Sequence, residues 1–177
     1  MIRVAFLALA LLIAPHAYAQ TLGGPYTLKD GSGQTVTEKT NSGKFTLITF
    51  AHSKCDQSCK DSLKRLSAAV SSLPAEKIAK IKTLVVSVDP TDTPAAMTQF
   101  LAPYPGLTGL TGNNEQVSSI TKSFMAPVVR VPQVNGQGGQ LMVNSLIYVM
   151  SKQGTFYTLL QTFDEKQLAA QLDRLIN

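Results

Sequence analysis

Lys44-Phe45-Thr46-Leu47-Ile48-Thr49-Phe50 runs without a break into Ala51-His52-Ser53-Lys54-Cys55-Asp56-Gln57-Ser58-Cys59. The first seven residues are β-branched, aromatic or aliphatic apart from Lys44 and predict a buried strand. From Ser58 onward the apolar residues Leu63, Leu66, Val70 and Leu73 recur every three or four positions, one face of a helix, and Pro74 stops it. Both cysteines of the chain therefore fall where a strand hands over to a helix.

A helix N-terminus carries partial positive charge and favours a thiolate placed there. Lys54 and Lys60 act in the same sense and Asp56 and Asp61 oppose them, so the Cys55 thiol is expected to be moderately acidic. Cys55, nearer the helix start, is expected to be the more exposed sulfur and the attacking one, with Cys59 resolving. Geometry adds a condition. Residues four apart in a regular helix have Cβ atoms about 5–6 Å apart, whereas a disulfide wants about 3.8 Å. A bridge requires Cys55 to lie in the loop or at the cap. A soft metal ion held between two sulfurs relaxes that demand, and thiolates select Cu(I). A structural disulfide, a reactive dithiol and a metal site all remain open on the residues alone.

Outward from this junction the chain alternates. Lys82 to Val88 (KTLVVSV) predicts a second buried strand, closed by Asp89-Pro90. Asp92-Thr93-Pro94 supplies a cap and a first-turn proline for a helix over Ala95 to Leu101. Leu107 to Leu110 reads as a short strand and Asn114 to Phe124 as a helix with Val117, Ile120 and Phe124 inward. Pro127 to Gln140, with Pro132 and three glycines, reads as a long loop. Leu141 to Met150 and Thr155 to Gln161 read as strands around a Lys152-Gln153-Gly154 turn, and Asp164 to Ile176 as a closing amphipathic helix. Residues 21–43, with an Asp30-Gly31 turn, read as an arm carrying a short hairpin. Strand, helix, strand, helix, then a hairpin and a last helix is an α/β plan. It predicts a thioredoxin-like three-layer fold with a mixed central sheet and an N-terminal hairpin extension.

The chain has 177 residues, 44% hydrophobic and 15% charged, which suits one domain and excludes wholesale disorder. The net charge of +5 is spread out, with no basic block to suggest nucleic-acid binding. Residues 1–19 read as a signal peptide: Arg3, an apolar run from Val4 to Ala14, then Ala17-Tyr18-Ala19 for cleavage. Residues 20–177 would form the single mature domain, exported to a periplasmic or similarly oxidising compartment and free of the membrane after cleavage. His16 leaves with the signal, so His52 is the one mature histidine.

Gly24-Pro25-Tyr26-Thr27-Leu28, Cys55-x-x-x-Cys59, Val86-Ser87-Val88-Asp89-Pro90 with Asp92-Thr93-Pro94, and Leu107-Thr108-Gly109-Leu110-Thr111-Gly112 together resemble the Sco/SenC family. Its members are thioredoxin-like factors that assemble the copper site of cytochrome c oxidase. The resemblance implies that Cys55 and Cys59 are a redox dithiol and copper ligands, with copper as the metal. It also implies a protein acceptor that has a copper site or reducible cysteines. Asp56 and Lys60 stand where the family has Pro after each Cys, and Gln57 where it has an acidic residue. The family's third copper ligand, a His in a Val-Asp-His-Ser run, falls on Asn144 of Met142-Val143-Asn144-Ser145.

Other residues have plainer readings. Met142 reads as core filler, with its soft thioether as the alternative. His52 reads as a hydrogen-bonded neighbour of the dithiol, with ligation as the alternative, and Asp89 as a loop or cap carboxylate. Tyr104, Tyr148 and Tyr157 form no cofactor pattern. Ile48 and His52 occupy the positions where a peroxiredoxin has Pro and Thr or Ser, which disfavours a peroxidase. Two further function classes stay in view: a general periplasmic thiol–disulfide oxidoreductase and a non-catalytic binding module with a structural disulfide. The leader predicts a mature N-terminus at Gln20; N-terminal sequencing of the secreted protein checks it, and a chain still starting at Met1 overturns it.

Overall fold

In the computed structural model, residues 22–132, 139–161 and 164–176 are described. The predicted signal peptide, with its cleavage site, lies outside them. Strands β1 (Thr27–Lys29) and β2 (Thr35–Thr37) form the N-terminal hairpin. β3 (Phe45–Ala51) leads to α1 (Gln57–Ser71), the single-turn α2 (Ala75–Ile78) and β4 (Ile81–Ser87). α3 (Pro94–Leu101), β5 (Leu107–Leu110) and α4 (Asn114–Ser123) follow. β6 (Val128–Val131), β7 (Gln140–Val143), β8 (Leu146–Met150), β9 (Phe156–Gln161) and α5 (Glu165–Leu175) complete the chain.

The main sheet has the order β5-β4-β3-β8-β9. β3, β4 and β5 run parallel, and β8 and β9 are antiparallel additions, so the sheet is mixed as expected. β3 is central and all but its first residue are buried, which is why its sequence is nearly continuous in apolar and β-branched residues. Successive side chains still alternate between faces. Leu47, Ile147 and Val149 meet Leu66, Ala69 and Val70 of α1 and Leu168 and Leu172 of α5. Ala51 and Val85 meet Leu63 of α1 and Met97 and Leu101 of α3 on that same side. Ile48, Phe50, Leu84, Val86 and Tyr148 point the other way, onto Ile120 and Phe124 of the α4 region and Leu28 of the hairpin. These are three layers.

Phe50, Phe124 and Tyr148 meet pairwise edge to face, with ring centroids 5.4–5.9 Å apart. This geometry sets the positive ring edge against the negative face. It pins α4, β3 and β8 to one another. Burial raises the Tyr148 hydroxyl pKa above its ordinary value.

The hairpin turn is held by Asp30, whose carboxylate accepts from the N–H and hydroxyl of Ser32 and from Gln34 N–H. The Ser32 hydroxyl is the main reason that carboxyl is held below its ordinary pKa. Gly33 takes the positive φ (+79°) that closes the turn. Lys29 and Thr111 exchange backbone hydrogen bonds of 2.8 Å, so the hairpin docks just beyond the end of edge strand β5.

Two expectations are corrected here. Pro127 to Gln140 is not all loop: Val128–Val131 pairs antiparallel with Gln140–Val143, forming a separate two-stranded arm. Its packed face, Val128, Leu141 and Val143, rests on the core, and partner strand and packing together outweigh the local Pro and Gly signals. Leu141 to Met150 is not one strand either. Asn144-Ser145 interrupts it, β7 belonging to the arm and β8 to the main sheet. The short α2 was not foreseen, since the same Pro74 that ends one helix stands at the N-cap of the next.

Phe124 is fully buried in the aromatic trio, so Phe124→Ala should cost about 3–5 kcal/mol in urea unfolding. Val129→Ala, on the exposed face of the arm, should stay within about 0.5 kcal/mol. Equal effects would place the core elsewhere.

Candidate functional site

Cys55 and Cys59 form a disulfide with a Cα–Cα separation of 5.9 Å, within the usual range of about 4.4–6.8 Å. The local sequence makes this possible by starting the helix between them. Asp56 is the N-cap, in extended conformation, and its carboxylate accepts from Cys59 N–H at 2.9 Å. Cys55 sits before the cap in a turn in which its N–H donates to His52 O at 3.1 Å. The condition that Cys55 lie outside the helix is met.

The order of exposure is the reverse of that expected. Cys55 is buried, at 4% exposure, and Cys59 is only partly buried. Proximity to the helix start in sequence did not translate into access, because the turn folds Cys55 inward. Cys59, third residue of α1, is the cysteine inside the turn where the helix field concentrates.

Asn144 comes to this site. With Ser145, Val143, Thr49, Phe50 and Ser62 it lines a narrow cavity of about 10 Å³ that Cys59 also borders, room for at most about one water. The neighbourhood is fixed by two polar contacts. The Ser62 and Ser145 hydroxyls meet at 2.8 Å, and the Thr49 hydroxyl donates to Leu146 O at 3.0 Å. The segment that breaks β7 from β8 is thereby tied to α1 and to the end of β3.

Met142 is not core filler. It is 49% exposed on the outer face of the arm, opposite Val129. β7 ends at Val143, so strand alternation does not carry on from Met142 to Asn144. His52 is buried at 4% exposure. Its Nε2 lies 3.0 Å from Leu141 O and must carry the proton to donate there. Its Nδ1 is buried with no hydrogen-bond partner among the described residues. His52 thus latches the arm to the end of β3, a hydrogen-bonded neighbour as expected. Asp89 closes a turn, accepting from the N–H and hydroxyl of Thr91. Burial pushes its carboxyl pKa up, but the Thr91 hydroxyl and N–H, then His52 and Lys54, outweigh this and hold it below the ordinary value.

The sequence offers a cap residue for α3 within Asp92-Thr93-Pro94. In the structure Thr93 is that cap, accepting from Ala96 N–H at 3.1 Å. Asp92 is nearly buried and turns instead to the loop before Cys55, accepting from Ser53 N–H (2.9 Å), the Ser53 hydroxyl and the Ser87 hydroxyl (2.6 Å). The signal that could have revealed this is the redundancy of two capping residues, Asp92 and Thr93, in front of one proline.

Among the described residues, no three His, Cys, Asp or Glu side chains gather as a metal-holding group, and no helix is long and apolar enough to cross a membrane. The two sulfurs of the disulfide are the soft donors at this junction.

Comparison with known proteins agrees with this geometry. The SCO1/SenC family model matches residues 14–177. The chain is 33% identical over 158 residues to the mitochondrial protein SCO2 of Saccharomyces cerevisiae, covering 86% of this chain and 52% of that one. It is 36% identical over 107 residues to SenC of Rhodobacter capsulatus, covering 59% and 48%. The chain spans about half the length of the curated relatives it matches. Among solved structures it resembles Bradyrhizobium japonicum ScoI with copper bound (TM-score 0.77, 32% identity, 86% of this chain and 98% of that one). It also resembles yeast Sco1 with copper bound (TM-score 0.77, 30% identity, 87% of each chain). These likenesses bear out the thioredoxin-like fold. With the family model spanning both cysteines and the whole folded region, this chain belongs to the SCO1/SenC family.

Proposed function

We propose that this chain is an exported Sco protein that acts through Cys55 and Cys59, delivering copper to a respiratory copper-site acceptor such as cytochrome c oxidase or reducing that acceptor's cysteines. The observation that carries the reading is the disulfide at the β3–α1 junction, with one cysteine buried and the other accessible. Family membership and the copper-bound likenesses support copper as the cargo. The acceptor follows from the family resemblance.

The residues fit Cu(I). Two thiolates are soft donors that satisfy it unaided. Cu(II) prefers a tetragonal set containing nitrogen or oxygen. Asn144, at the position the resemblance gives to the family's histidine, brings to the Cys59 cavity only an amide, a weaker donor than imidazole. His52 holds its Nε2 proton on Leu141 O and serves the arm.

As a reductant the pair works by exchange. A Cys59 thiolate attacks an acceptor disulfide, forming a mixed disulfide and releasing one acceptor thiolate, which takes up a proton. The Cys55 thiolate, freed of its own proton, then attacks Cys59 Sγ. The second acceptor thiolate leaves and is protonated, and the Cys55–Cys59 bond is restored. Two electrons pass from this chain to the acceptor. Cys59 is given the attacking role because it is the more accessible cysteine and lies in the helix's first turn.

A general oxidoreductase would run the same exchange on unrelated disulfides, and a binding module would keep the bridge closed. Equilibration with glutathione separates the last case, because a structural bridge in an exported protein has a reduction potential below about −300 mV and so resists reduction by glutathione.

Brief alkylation of the reduced mature protein should label Cys59 before Cys55; equal or reversed labelling overturns the assignment of the attacker. The reduced protein should bind Cu(I) in a manner that requires both cysteines, and hold Cu(II) weakly. Asn144→His should strengthen Cu(II) binding by more than about tenfold, given that even outer-shell partners of a ligand change affinity by about 10–100-fold. His52→Ala should leave Cu(I) affinity unchanged. Tight Cu(II) binding by the unaltered protein that His52→Ala abolishes would make His52 the ligand and refute this account of Asn144.

A further inference from the structure

We propose that Asp92 is a positioning residue for the thiol pair: it clamps the loop before Cys55 and so sets how readily the Cys55–Cys59 disulfide closes. The redox role of that pair is the reading given above, on which this inference rests.

The clamp joins two loops at the same end of the sheet. Ser53 lies two residues before Cys55, and Asp92 lies between β4 and α3. Asp92 takes three hydrogen bonds, two of them from Ser53, its N–H and its hydroxyl. The third comes from Ser87 at the end of β4, whose oxygen in turn accepts Asp89 N–H at 3.2 Å. Asp92 N–H donates to Asp89 O at 3.0 Å, which fixes the carboxylate's own backbone. Val88 N–H donates to Ala51 O at 2.8 Å, extending the β3–β4 pairing to the root of both loops. A carboxylate at 9% exposure is costly unless its lone pairs are filled, and here two of the three donors come from the segment that leads into Cys55. The clamp spends two acceptor sites on one residue, Ser53, which holds both its backbone and its side chain.

The consequence is conformational. Two cysteines four apart close a bridge only when the first is held out of the helix and turned back. Asp56 fixes the start of the helix on the Cys59 side. Asp92 fixes the approach on the Cys55 side. Loosening the approach lowers the effective concentration of one sulfur at the other, while the reduced form loses less.

The test equilibrates the mature protein with glutathione buffers and measures the fraction oxidised. Two glutathione thiols become one glutathione disulfide as the Cys55–Cys59 bond opens to two thiols, with electrons and protons conserved. Asp92→Asn keeps the volume but turns an acceptor oxygen into a donor among three donors. It should lower the equilibrium constant for disulfide closure about tenfold, which is about 30 mV toward easier reduction. Ser53→Ala, which removes one of the three bonds, should shift it in the same direction by less. Thr93→Ala removes the α3 cap next to Asp92 and weakens the same helix without touching Ser53, and should leave the constant within about twofold of the parent protein. The proposal is overturned if Asp92→Asn stays within twofold of the parent, or if Thr93→Ala shifts the constant as far as Asp92→Asn. Should Asp92→Asn fail to fold, Ser53→Ala decides, and no shift there counts against the clamp. The parent's own potential tests the redox reading separately, because the difference between variants is measurable whatever the parent's value.

Discussion

A disulfide between residues four apart cannot close inside a regular helix, and the site is arranged around that limit. Sulfur-bearing Cβ atoms stacked on adjacent turns are too far apart, so α1 has to begin after Cys55 and before Cys59. Asp56 meets the requirement by capping Cys59 N–H from an extended backbone. The turn ahead of the cap brings Cys55 back, its N–H on His52 O. Had residue 56 been a strong helix former without a capping group, the helix could have extended backward through Cys55 and separated the sulfurs.

That turn would wander without the rest of the fold. It hangs from the end of β3, the central strand, whose faces are covered by α1 and α5 on one side and the Phe50–Phe124–Tyr148 trio on the other. Around this fixed root three polar contacts reach across the site. His52 ties the root to the arm, Ser62 ties α1 to Ser145, and Asp92 ties Ser53 to the β4–α3 loop. Each crosses between elements far apart in sequence, and each is buried or half-buried, where a hydrogen bond left unmade costs about 1–3 kcal/mol. The segment between β7 and β8 brings Asn144 to the cavity that Cys59 also borders, so that it serves as support and as wall.

On the proposed function, metal preference follows from the same economy of ligands. Two sulfurs and no imidazole in the cavity suit a soft monovalent ion, and a thiol–disulfide couple uses the same two atoms. On the function proposed above, copper carriage and thiol reduction would be two uses of the same pair of sulfurs, separated by what the acceptor presents.

Much of this was legible in the sequence. The strand over Phe45–Phe50, the helices with Leu63, Leu66 and Val70 or Leu168 and Leu172 inward, and the mixed three-layer plan follow from periodicity, because a side chain's face is set locally by 3.6 or 2 residues per repeat. The cysteines' place at a strand–helix junction follows likewise, and with it the condition on Cys55. What local pattern could not supply was decided by partners distant in the chain. β6 and β7 exist because each is the other's neighbour and their inner face meets the core, against Pro132 and the glycines. Met142 is exposed and Cys55 buried because those depend on what packs above them. Asp92 turns to the loop before Cys55 because Ser53, 39 residues away in sequence, offers it two donors. Periodicity and capping are properties of a few consecutive residues and can be read from them; burial and buried hydrogen bonding are properties of pairs, and only the folded chain determines which pairs meet.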